Sequence, residues 1–521
     1  CHCEKCQKKF REWLKNKYGT LDKLNASWWT GFWSHKYTDW DQIHSPSPQG
    51  ECLTTALTLD WKRFSSEQIT DFCKMEADAL REFSDLPTTT NMMGFFKGVD
   101  YNTLKNAVDI ISWDNYPFWH ERKDEVPEAV YTSAGNALMR SLKREPFLLM
   151  ESTPSSVSWR SHNPLKRPGM HMLSSMQAVA HGADSVQYFQ WRKSRGGYEK
   201  FHGAVVDHKN GSDTRTFREV TEVGKRLEHL SGGIKTFLNR AKAAIVFDWE
   251  NWWAVEDTSG PRQDLDYVKC VTDHYRAFWE CGLDVDFVSM DDDFSGYRLL
   301  AAPLNYMYKK GYSEKVRAFV EAGGTYVTTY FSGIVNETDL CFIGRHPLED
   351  VLGVVSEEMD APSKEFENCF DYNGKEYPAY TMCDIVHAKA KTEIYSVYKK
   401  DFYKGCPVVT ENAYGSGRAY YLSAESDQRF LSAFYKDVFI KAGLLKEASS
   451  ADRILKRLPH GVTAAKREDE TGRKGLVFVM NFNDRQVRLE GIGKQIDAES
   501  GEVYENVLEM APFSCTILKL K

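Results

Sequence analysis

One carboxylate in the first third of the sequence follows a short run that is wholly apolar. Residues 147–150 read Phe-Leu-Leu-Met, the pattern of a parallel strand buried on both faces, and Glu151 comes next. Pro154 then ends the strand. In a β/α barrel the catalytic groups stand where strands pass into loops, so Glu151 is a candidate for catalysis. The alternative is a glutamate that turns into solvent at a strand end, and the spacing alone fits both.

Three cysteines, Cys1, Cys3 and Cys6, crowd into the first six residues, directly before an amphipathic helical pattern. Three thiols at this spacing suit tetrahedral zinc, which needs a fourth ligand. The alternatives are three reduced cysteines without a function, or a site in which His2 is the fourth ligand. The other nine cysteines are scattered without framework spacing, which favours reduced thiols in a protein of this size.

Composition limits the classes of function. The 521 residues are 42% hydrophobic and 27% charged, the profile of a globular protein with several cores. The formal net charge is −7 and there is no dense Lys/Arg block, which argues against nucleic-acid and anionic-membrane partners. No apolar run approaches the ~20 residues of a membrane span, and no signal peptide opens the chain, so we expect a cytoplasmic protein.

The elements that must position Glu151 alternate between strand and helix patterns. Helical patterns cover residues 65–84, 129–142 and 170–181. The predicted strands are Thr88–Met93, Asp109–Trp113, Phe147–Met150 and Ser185–Gln190. This alternation is typical of a parallel β/α barrel.

Two further domains are predicted after the double glycine at 232–233. Strand and helix patterns alternate again up to about residue 330, which indicates an open, flavodoxin-like α/β unit. It contains neither a G-x-G-x-x-G motif nor a nucleophile elbow, so nothing in it points to catalysis. From about Ser449 short strands dominate and predict a small antiparallel β-sandwich domain. The predicted domains are therefore 1–235, 236–448 and 449–521.

Three long segments resemble glycoside hydrolase family 42 β-galactosidases. They are the opening CHCEKCQKKFREWL, the segment LLMESTPSSVSW around Glu151, and SVQYFQWRKSRGGYEKFHGAVV from Ser185 to Val206. The resemblance implies a (β/α)8 TIM barrel, a middle domain with trimer contacts, and a retaining exo-β-galactosidase that acts on lactose or galacto-oligosaccharides. It also implies that Glu151, on the seventh barrel strand, is the nucleophile.

The resemblance extends to the residues that bind the sugar. Trp159 matches an aromatic residue that stacks on galactose, and its alternative role is packing at the barrel mouth. Glu199 and His202 match galactose-binding residues; their i, i+3 spacing lets both reach one point on a helical loop, although such a pair is otherwise often surface decoration. A metal interpretation of this pair lacks a third ligand. Tyr116 matches a tyrosine that supports the nucleophile.

The resemblance also labels the four predicted strands as barrel strands five to eight, whereas a closed barrel needs eight. We therefore expect that the chain lacks the N-terminal half of its barrel and is inactive alone. The family's acid/base, a Glu after an Asn at the end of strand four, is then upstream, as is a fourth Cys for structural zinc beside Cys1, Cys3 and Cys6. The alternative function is a non-catalytic sugar-binding or scaffold protein. An Asn-Glu pair in the upstream sequence discriminates the two.

Overall fold

The computed structural model describes residues 1–47, 54–234, 237–445 and 458–520. The N-terminal unit, as far as it is described, combines seven α-helices with four strands. Its helices are α1 (Glu4–Tyr18), α2 (Leu21–Ser27), α3 (Thr55–Arg81), α4 (Tyr101–Leu104), α5 (Val126–Lys143), α6 (Met170–Ala180) and α7 (Arg215–Ile234). Its strands are β1 (Asn91–Met92), β2 (Ser112–Asp114), β3 (Phe147–Glu151) and β4 (Ala183–Val186).

The four strands form one parallel sheet in the order β1-β2-β3-β4. Sequential order and parallel pairing are what right-handed β/α units produce, because each helix returns the chain to the start of the next strand. Phe147 and Leu149 are buried in β3, and Ala134, Leu138 and Leu173 of the flanking helices belong to the same core. The predicted β/α alternation is confirmed for all four strands.

Three of the predicted strands are shorter or shifted in the structure, and the second of them runs from Ser112 to Asp114 rather than from 109 to 113. Only Asn91 and Met92 of the predicted strand 88–93 have regular pairing, because Thr88 is bonded through its amide and hydroxyl to the Asp109 side chain. The last strand runs from Ala183 to Val186 rather than from 185 to 190. Beyond it, single bonds such as Phe189 N to Ser152 O, 3.0 Å, continue the contact with β3 irregularly.

The middle unit contains a seven-stranded sheet in the order β14-β15-β16-β9-β7-β5-β6. The strands of this unit are β5 (Ala243–Val246), β6 (Val285–Val288), β7 (Leu299–Ala302), β8 (Met307–Tyr308), β9 (Thr325–Thr329), β10 (Val335–Asn336), β11 (Val354–Asp360), β12 (Asn368–Tyr372), β13 (Lys375–Ala388), β14 (Glu393–Val397), β15 (Pro407–Tyr414), β16 (Gly417–Leu422) and β17 (Ala424–Glu425). Its helices are α8 (Trp249–Asp257), α9 (Tyr267–Glu280), α10 (Tyr312–Glu321), α11 (Glu349–Leu352) and α12 (Gln428–Lys441).

Five neighbouring strands of this sheet are parallel, β6-β5-β7-β9-β16, and numbering them along the chain gives the order 2-1-3-4-5. That order is the flavodoxin-like one, so the predicted architecture of this unit is confirmed. The sequence patterns did not reveal its antiparallel additions: β14 and β15 extend the sheet, and β11, β12, β13 and β17 form a second one.

The C-terminal unit is antiparallel, as predicted. Its strands are β18 (Val462–Glu468), β19 (Gly475–Asn481), β20 (Val487–Glu490), β21 (Gln495–Ile496), β22 (Val503–Tyr504), β23 (Val507–Met510) and β24 (Ser514–Leu520). Three of them form the sheet β18-β19-β24, and β20-β23 and β21-β22 are separate pairs. The predicted domain boundaries at 235/236 and 448/449 lie outside the described residues and stay predictions.

Buried polar contacts join the three units. Arg140 of α5 donates to Asp286 Oδ1 of β6 at 2.6 Å, and both side chains are more than 90% buried. Arg467 of β18 donates to the carbonyls of Val179 and Ala183 and to the carboxylate of Asp184, at the beginning of β4. Among the described residues, no helix is both long enough and apolar enough to cross a membrane.

Candidate active site

Glu151 is the last residue of β3, an inner strand of the parallel sheet. Its register partner on β2 is Asp114, the last residue of that strand. The amide of Asn115 donates to the Glu151 carbonyl at 2.9 Å, which extends the pairing just past the strand ends. The backbone of Glu151 is therefore fixed at the carboxyl end of the sheet, where barrel enzymes carry their catalytic groups.

The Glu151 carboxylate is oriented by one hydrogen bond to each oxygen. The Tyr116 hydroxyl donates to Oε2 at 2.5 Å, and Asn91 Nδ2 donates to Oε1 at 3.3 Å. Burial, followed by the bond to Glu151 and its negative charge, raises the pKa of Tyr116 far above its usual value. The raised pKa keeps Tyr116 protonated near neutral pH, so its hydroxyl donates to Glu151 there.

Asn91 and Asp114 belong to this cluster although the sequence analysis did not select them. Asn91 Nδ2 also donates to Asp114 Oδ1 at 2.8 Å, so one amide group bridges two carboxylates. Burial, opposed by the bond from Asn91 and reinforced by the charge of Glu151, raises the pKa of Asp114 to about 6. The available signal was position: each is the polar residue at or near the end of a predicted barrel strand.

An aromatic wall stands beside the carboxylate. The rings of Tyr116 and Trp159 meet edge to face at 5.0 Å, and the Trp159 and His202 rings stack at 5.0 Å. Phe189 closes the other side of His202, also at 5.0 Å. Trp159 keeps 43% of its surface exposed, so part of its indole face is open to a ligand. The structure thus brings Glu151, Tyr116, Trp159 and His202 together.

His202 is fully buried, yet one of its ring nitrogens has no hydrogen-bond partner in the described part of the chain. Nδ1 lies 3.0 Å from the carbonyl of Gly203, and since a carbonyl only accepts, Nδ1 carries the proton. Nε2 is the nitrogen without a partner. An unpaired buried nitrogen is costly, and a hydroxyl group of a ligand would satisfy it.

Glu199 lies one turn before His202. The loop that carries both residues forms a turn rather than the helical conformation considered from the sequence. In this turn the His202 amide donates to the Glu199 carbonyl at 2.9 Å. The Glu199 carboxylate has no hydrogen bond to His202 within the described residues, but its charge is one of the causes that raise the pKa of Tyr116. Glu199 is therefore close enough to act on the same cluster.

The three N-terminal thiols converge at the start of α1. The sulfur atoms of Cys1, Cys3 and Cys6 all lie within 4.8 Å of one another, and Cys3 Sγ is 3.8 Å from Cys6 Sγ. A zinc ion with Zn–S bonds of ~2.3 Å in tetrahedral geometry would place two sulfurs about 3.8 Å apart, so this pair fits zinc. His2 is not part of this cluster of sulfur atoms: its Nδ1 lies 2.8 Å from Ser45 Oγ and its ring stacks on Trp61.

Taken together, the cluster provides a carboxylate fixed by two donors, a partly open indole and a buried imidazole acceptor. A carboxylate held at a strand end can attack an electrophilic carbon, while aromatic faces and charged hydrogen-bonding groups are what sugar rings require. A site of this composition, on parallel β/α units, is what a glycoside hydrolase requires.

Comparisons with known proteins also indicate a glycoside hydrolase. Residues 1–230 match the family model described as "Beta-galactosidase" of glycoside hydrolase family 42, and residues 241–445 match the "Beta-galactosidase trimerisation domain". The β-galactosidase BglY of Alicyclobacillus acidocaldarius is 47% identical over 497 residues, covering 93% of this chain and 70% of that protein. The β-galactosidase Pbg of Clostridium perfringens is 43% identical over 539 residues, covering 100% and 77%.

Solved structures give the same result. The cold-adapted β-galactosidase from Rahnella sp. R3 superimposes with a TM-score of 0.94 at 46% identity, over 100% of this chain and 76% of that one. A catalytic mutant of Gan42B, a β-galactosidase from G. stearothermophilus, gives 0.94 at 41% identity with the same coverage. The chain belongs to glycoside hydrolase family 42, the β-galactosidases. The predicted family and fold class are confirmed.

Proposed function

We propose that this chain carries the nucleophile of a retaining exo-β-galactosidase, which hydrolyses terminal β-D-galactosyl residues of lactose or galacto-oligosaccharides. The observation that carries the proposal is the Glu151 carboxylate, fixed by Tyr116 and Asn91 at the end of β3 and flanked by Trp159 and His202. The two relatives named above, BglY and Pbg, are both β-galactosidases, which supports the choice of sugar.

In the first step Glu151 attacks the anomeric carbon, the glycosidic C–O bond breaks, and the leaving oxygen takes a proton from an acid/base residue. In the second step the same residue removes a proton from water, which releases galactose from Glu151 with net retention. Oε1 is the better placed attacking atom, since Tyr116 holds Oε2 by the shorter bond. We propose that the acid/base is a Glu upstream of Cys1, as the family resemblance implies.

The sugar is held by the remaining cluster in this proposal. The exposed part of Trp159 stacks on the galactose ring, and His202 Nε2 accepts from one of its hydroxyls. Glu199, on the turn that leads to His202, accepts from a neighbouring hydroxyl. This division leaves Tyr116 and Asn91 to orient the nucleophile.

The decisive test replaces the nucleophile in the full-length gene product. We expect Glu151→Gln to fold and to lose at least 99% of its turnover on an aryl β-galactoside, because the amide cannot form the covalent intermediate. Azide should partly rescue Glu151→Gly and yield the α-galactosyl azide, since a small anion in the vacated space attacks once and inverts the anomeric centre. Product configuration is read by NMR.

The matched control is Glu145→Gln, an exposed glutamate just before the same strand. It should keep wild-type turnover and the same unfolding temperature. If Glu151→Gln retained more than a few per cent of wild-type turnover, Glu151 would not be the nucleophile.

Three further properties are proposals of the same kind. Structural zinc is held by Cys1, Cys3 and Cys6, whose sulfur spacing fits the metal; elemental analysis should find zinc in the wild type and less in Cys3→Ser. A homotrimer is supported by the match to a trimerisation domain, and light scattering should give three times the mass of one chain.

A cytoplasmic location is supported by the free state of all eleven cysteines in the described residues, and cell fractionation tests it.

A further inference from the structure

A buried lysine lies under the loop that follows the nucleophile. Lys166 stands in the segment before α6 and is 7% exposed. Its ammonium group donates to the carbonyl of Thr153 through a short hydrogen bond and to the carbonyl of Ser155 at 3.4 Å. These two carbonyls flank Pro154, at the turn between Glu151 and Trp159. The ammonium thus ties both ends of that turn to one point.

Lys166 lacks the partner that a buried cation usually has. No carboxylate in the described chain lies within 4.0 Å of its Nζ, so the two backbone carbonyls carry the interaction. Burial lowers the pKa of Lys166 to about 7, and the more distant charge of Glu219 only partly opposes this. A buried ammonium without an ion pair is expensive, so its hydrogen bonds to the two carbonyls matter more than they would on the surface.

The turn held by Lys166 contacts the second half of the sugar site. Gly203 N donates to the Ser156 carbonyl at 2.7 Å, directly beside His202. An alanine Cβ at position 203 would lie 2.7 Å from Thr153 Oγ1 and closer still to Ser155 Oγ. The two loops are therefore packed without a gap. A displacement of the Thr153–Ser156 turn must move Trp159 in its own loop and His202 in the other.

We propose that Lys166 is a positioning residue for the galactosidase reaction: its ammonium group fixes the Thr153–Ser156 turn and, through it, the positions of Trp159 and His202. The proposal rests on the proposed function. Glu151 depends less on this turn, because the sheet register holds its backbone and Tyr116 and Asn91 hold its carboxylate. Loss of the ammonium should thus impair sugar binding more than the chemical step.

The charged and titratable groups that face Lys166 come from three elements. Glu219 and Arg215 lie on α7, Arg160 lies in the loop after Trp159, and His171 lies on α6. Burial, with the charges of Lys166 and Arg215, lowers the pKa of His171 to about 3, so His171 is neutral above about pH 5 and does not titrate in the working range. Lys166 loses its proton as the pH rises through 7, and the neutral amine donates more weakly to the two carbonyls.

The test compares Lys166→Met, Lys166→Arg and Lys62→Met with the wild-type full-length protein on an aryl β-galactoside. Lys62 is the matched control, because it is also a largely buried lysine but is paired with Asp257. We expect Lys166→Met to raise KM at least tenfold and to lower kcat no more than threefold. Lys166→Arg should return KM to within threefold, since a guanidinium donates to both carbonyls. Lys62→Met should change KM less than twofold.

The pH profile provides a second readout. Wild-type KM should rise between pH 6.5 and 8.5, and this rise should be absent in Lys166→Met. An unchanged KM in Lys166→Met, with or without a lower unfolding temperature, overturns the proposal and reduces Lys166 to a stabiliser of the fold. If circular dichroism shows that Lys166→Met is unfolded, Lys166→Gln is measured in the same way and decides. An inactive wild type instead overturns the proposed function.

Discussion

At the residue scale, the site separates the groups that orient the nucleophile from the group left free to bind. Tyr116 and Asn91 both donate to Glu151, whereas His202 Nε2 is buried without a partner among the described residues. A free enzyme that keeps an unsatisfied buried acceptor sacrifices folding stability, and a bound hydroxyl recovers the interaction. In the proposed function, sugar affinity therefore depends directly on His202 Nε2.

This leads to a prediction for the sugar-binding pair. His202→Phe should lower the unfolding temperature by no more than a few degrees, since it removes only the bond from Nδ1 to the Gly203 carbonyl and Nε2 bonds nothing in the described protein. The same variant, and Glu199→Ala separately, should lose about 1–3 kcal/mol of galactose binding per missing hydrogen bond. Inhibition by galactose and the KM of an aryl β-galactoside measure the loss. Wild-type kinetics in both variants would exclude the pair from sugar binding. Activity kept on glucosides but lost on galactosides would restrict their role to specificity.

Asp114 gives a prediction for pH and stability. Its pKa in the folded protein, about 6, lies above that of an unfolded aspartate, so its contribution to stability is complete below about pH 4 and is lost as the pH rises through 6. Asp114→Asn removes that loss. We expect equal unfolding temperatures of variant and wild type near pH 4 and a more stable variant at pH 7.5. Because Asp114 is only half-buried, we expect the gain to be about 1 kcal/mol.

Asp109, three residues before β2, is the control, because its pKa is shifted in the opposite direction from that of Asp114. The amide and hydroxyl of Thr88 lower its pKa to about 2, so its contribution to stability is present at neutral pH and is lost as the pH falls through 2. Asp109→Asn should therefore lower the unfolding temperature at pH 7.5. A rise in both variants would show that the effect is general removal of negative charge and not the environment of Asp114.

At the element scale, the loops after β3 and β4 form one interlocked unit. The clearest sign is Gly203, which has no space for a side chain against Thr153, Ser155 and Ser156. The β4 loop carries Glu199 and His202, and the β3 loop carries Trp159. The packing of the two loops against each other thus sets the distance between the Trp159 indole and the His202 imidazole.

Gly203→Ala tests this packing. The added methyl group must push the two loops apart, so we expect kcat/KM for an aryl β-galactoside to fall at least tenfold and the unfolding temperature to fall as well. Gly196→Ala, in the same loop but with no atom within 4 Å of the added carbon, should stay within twofold of the wild type. Equal effects of the two substitutions would mean that loop stiffness matters and that the contact does not.

The sequence predicted elements more reliably than their edges. The apolar run 147–150 and the β/α rhythm were sufficient to place Glu151 at the carboxyl end of a parallel sheet, because buried strands have a strong local signature. Asn91 and Lys166 were missed, since their roles depend on contacts across the sheet and between loops. The antiparallel strand β11 was missed because five of its seven residues are exposed, so it lacks an apolar run.

At the scale of the whole molecule, the units are joined by buried charged groups as well as apolar packing. The Arg140–Asp286 pair links α5 to β6, with additional bonds from Arg140 to the Val285 carbonyl and from Tyr297 to Asp286. Trp249 of α8 donates through its indole to the Phe96 carbonyl across the same boundary. Buried ion pairs of this kind favour one relative arrangement of two units, since partial separation leaves buried charges unpaired.

Removal of one member of that pair should therefore be costly. We expect Arg140→Leu to destabilise the protein by about 3–5 kcal/mol, because Asp286 keeps a buried charge without its cation. Arg140→Leu combined with Asp286→Leu should recover most of the loss. The control Arg488→Leu removes a partner of an exposed pair and should cost less than about 1 kcal/mol. Calorimetric unfolding temperatures measure all three; equal losses in the single and double variants would exclude the unpaired charge as the cause.

The anchor of the C-terminal unit has a practical consequence. Arg467 reaches Ala183 and Asp184 where β4 begins, whereas Glu151 is the last residue of β3 and His202 lies beyond the end of β4. The hairpin turn at Glu470 and Thr471 follows Arg467 directly and is exposed to solvent. A single-site affinity tag in this turn would attach the protein to a bead or an electrode by the end of the sheet opposite the sugar site, whereas a cysteine there would compete with the exposed Cys1, Cys3 and Cys341. Immobilised enzyme molecules would then all present their substrate entrance to the bulk liquid.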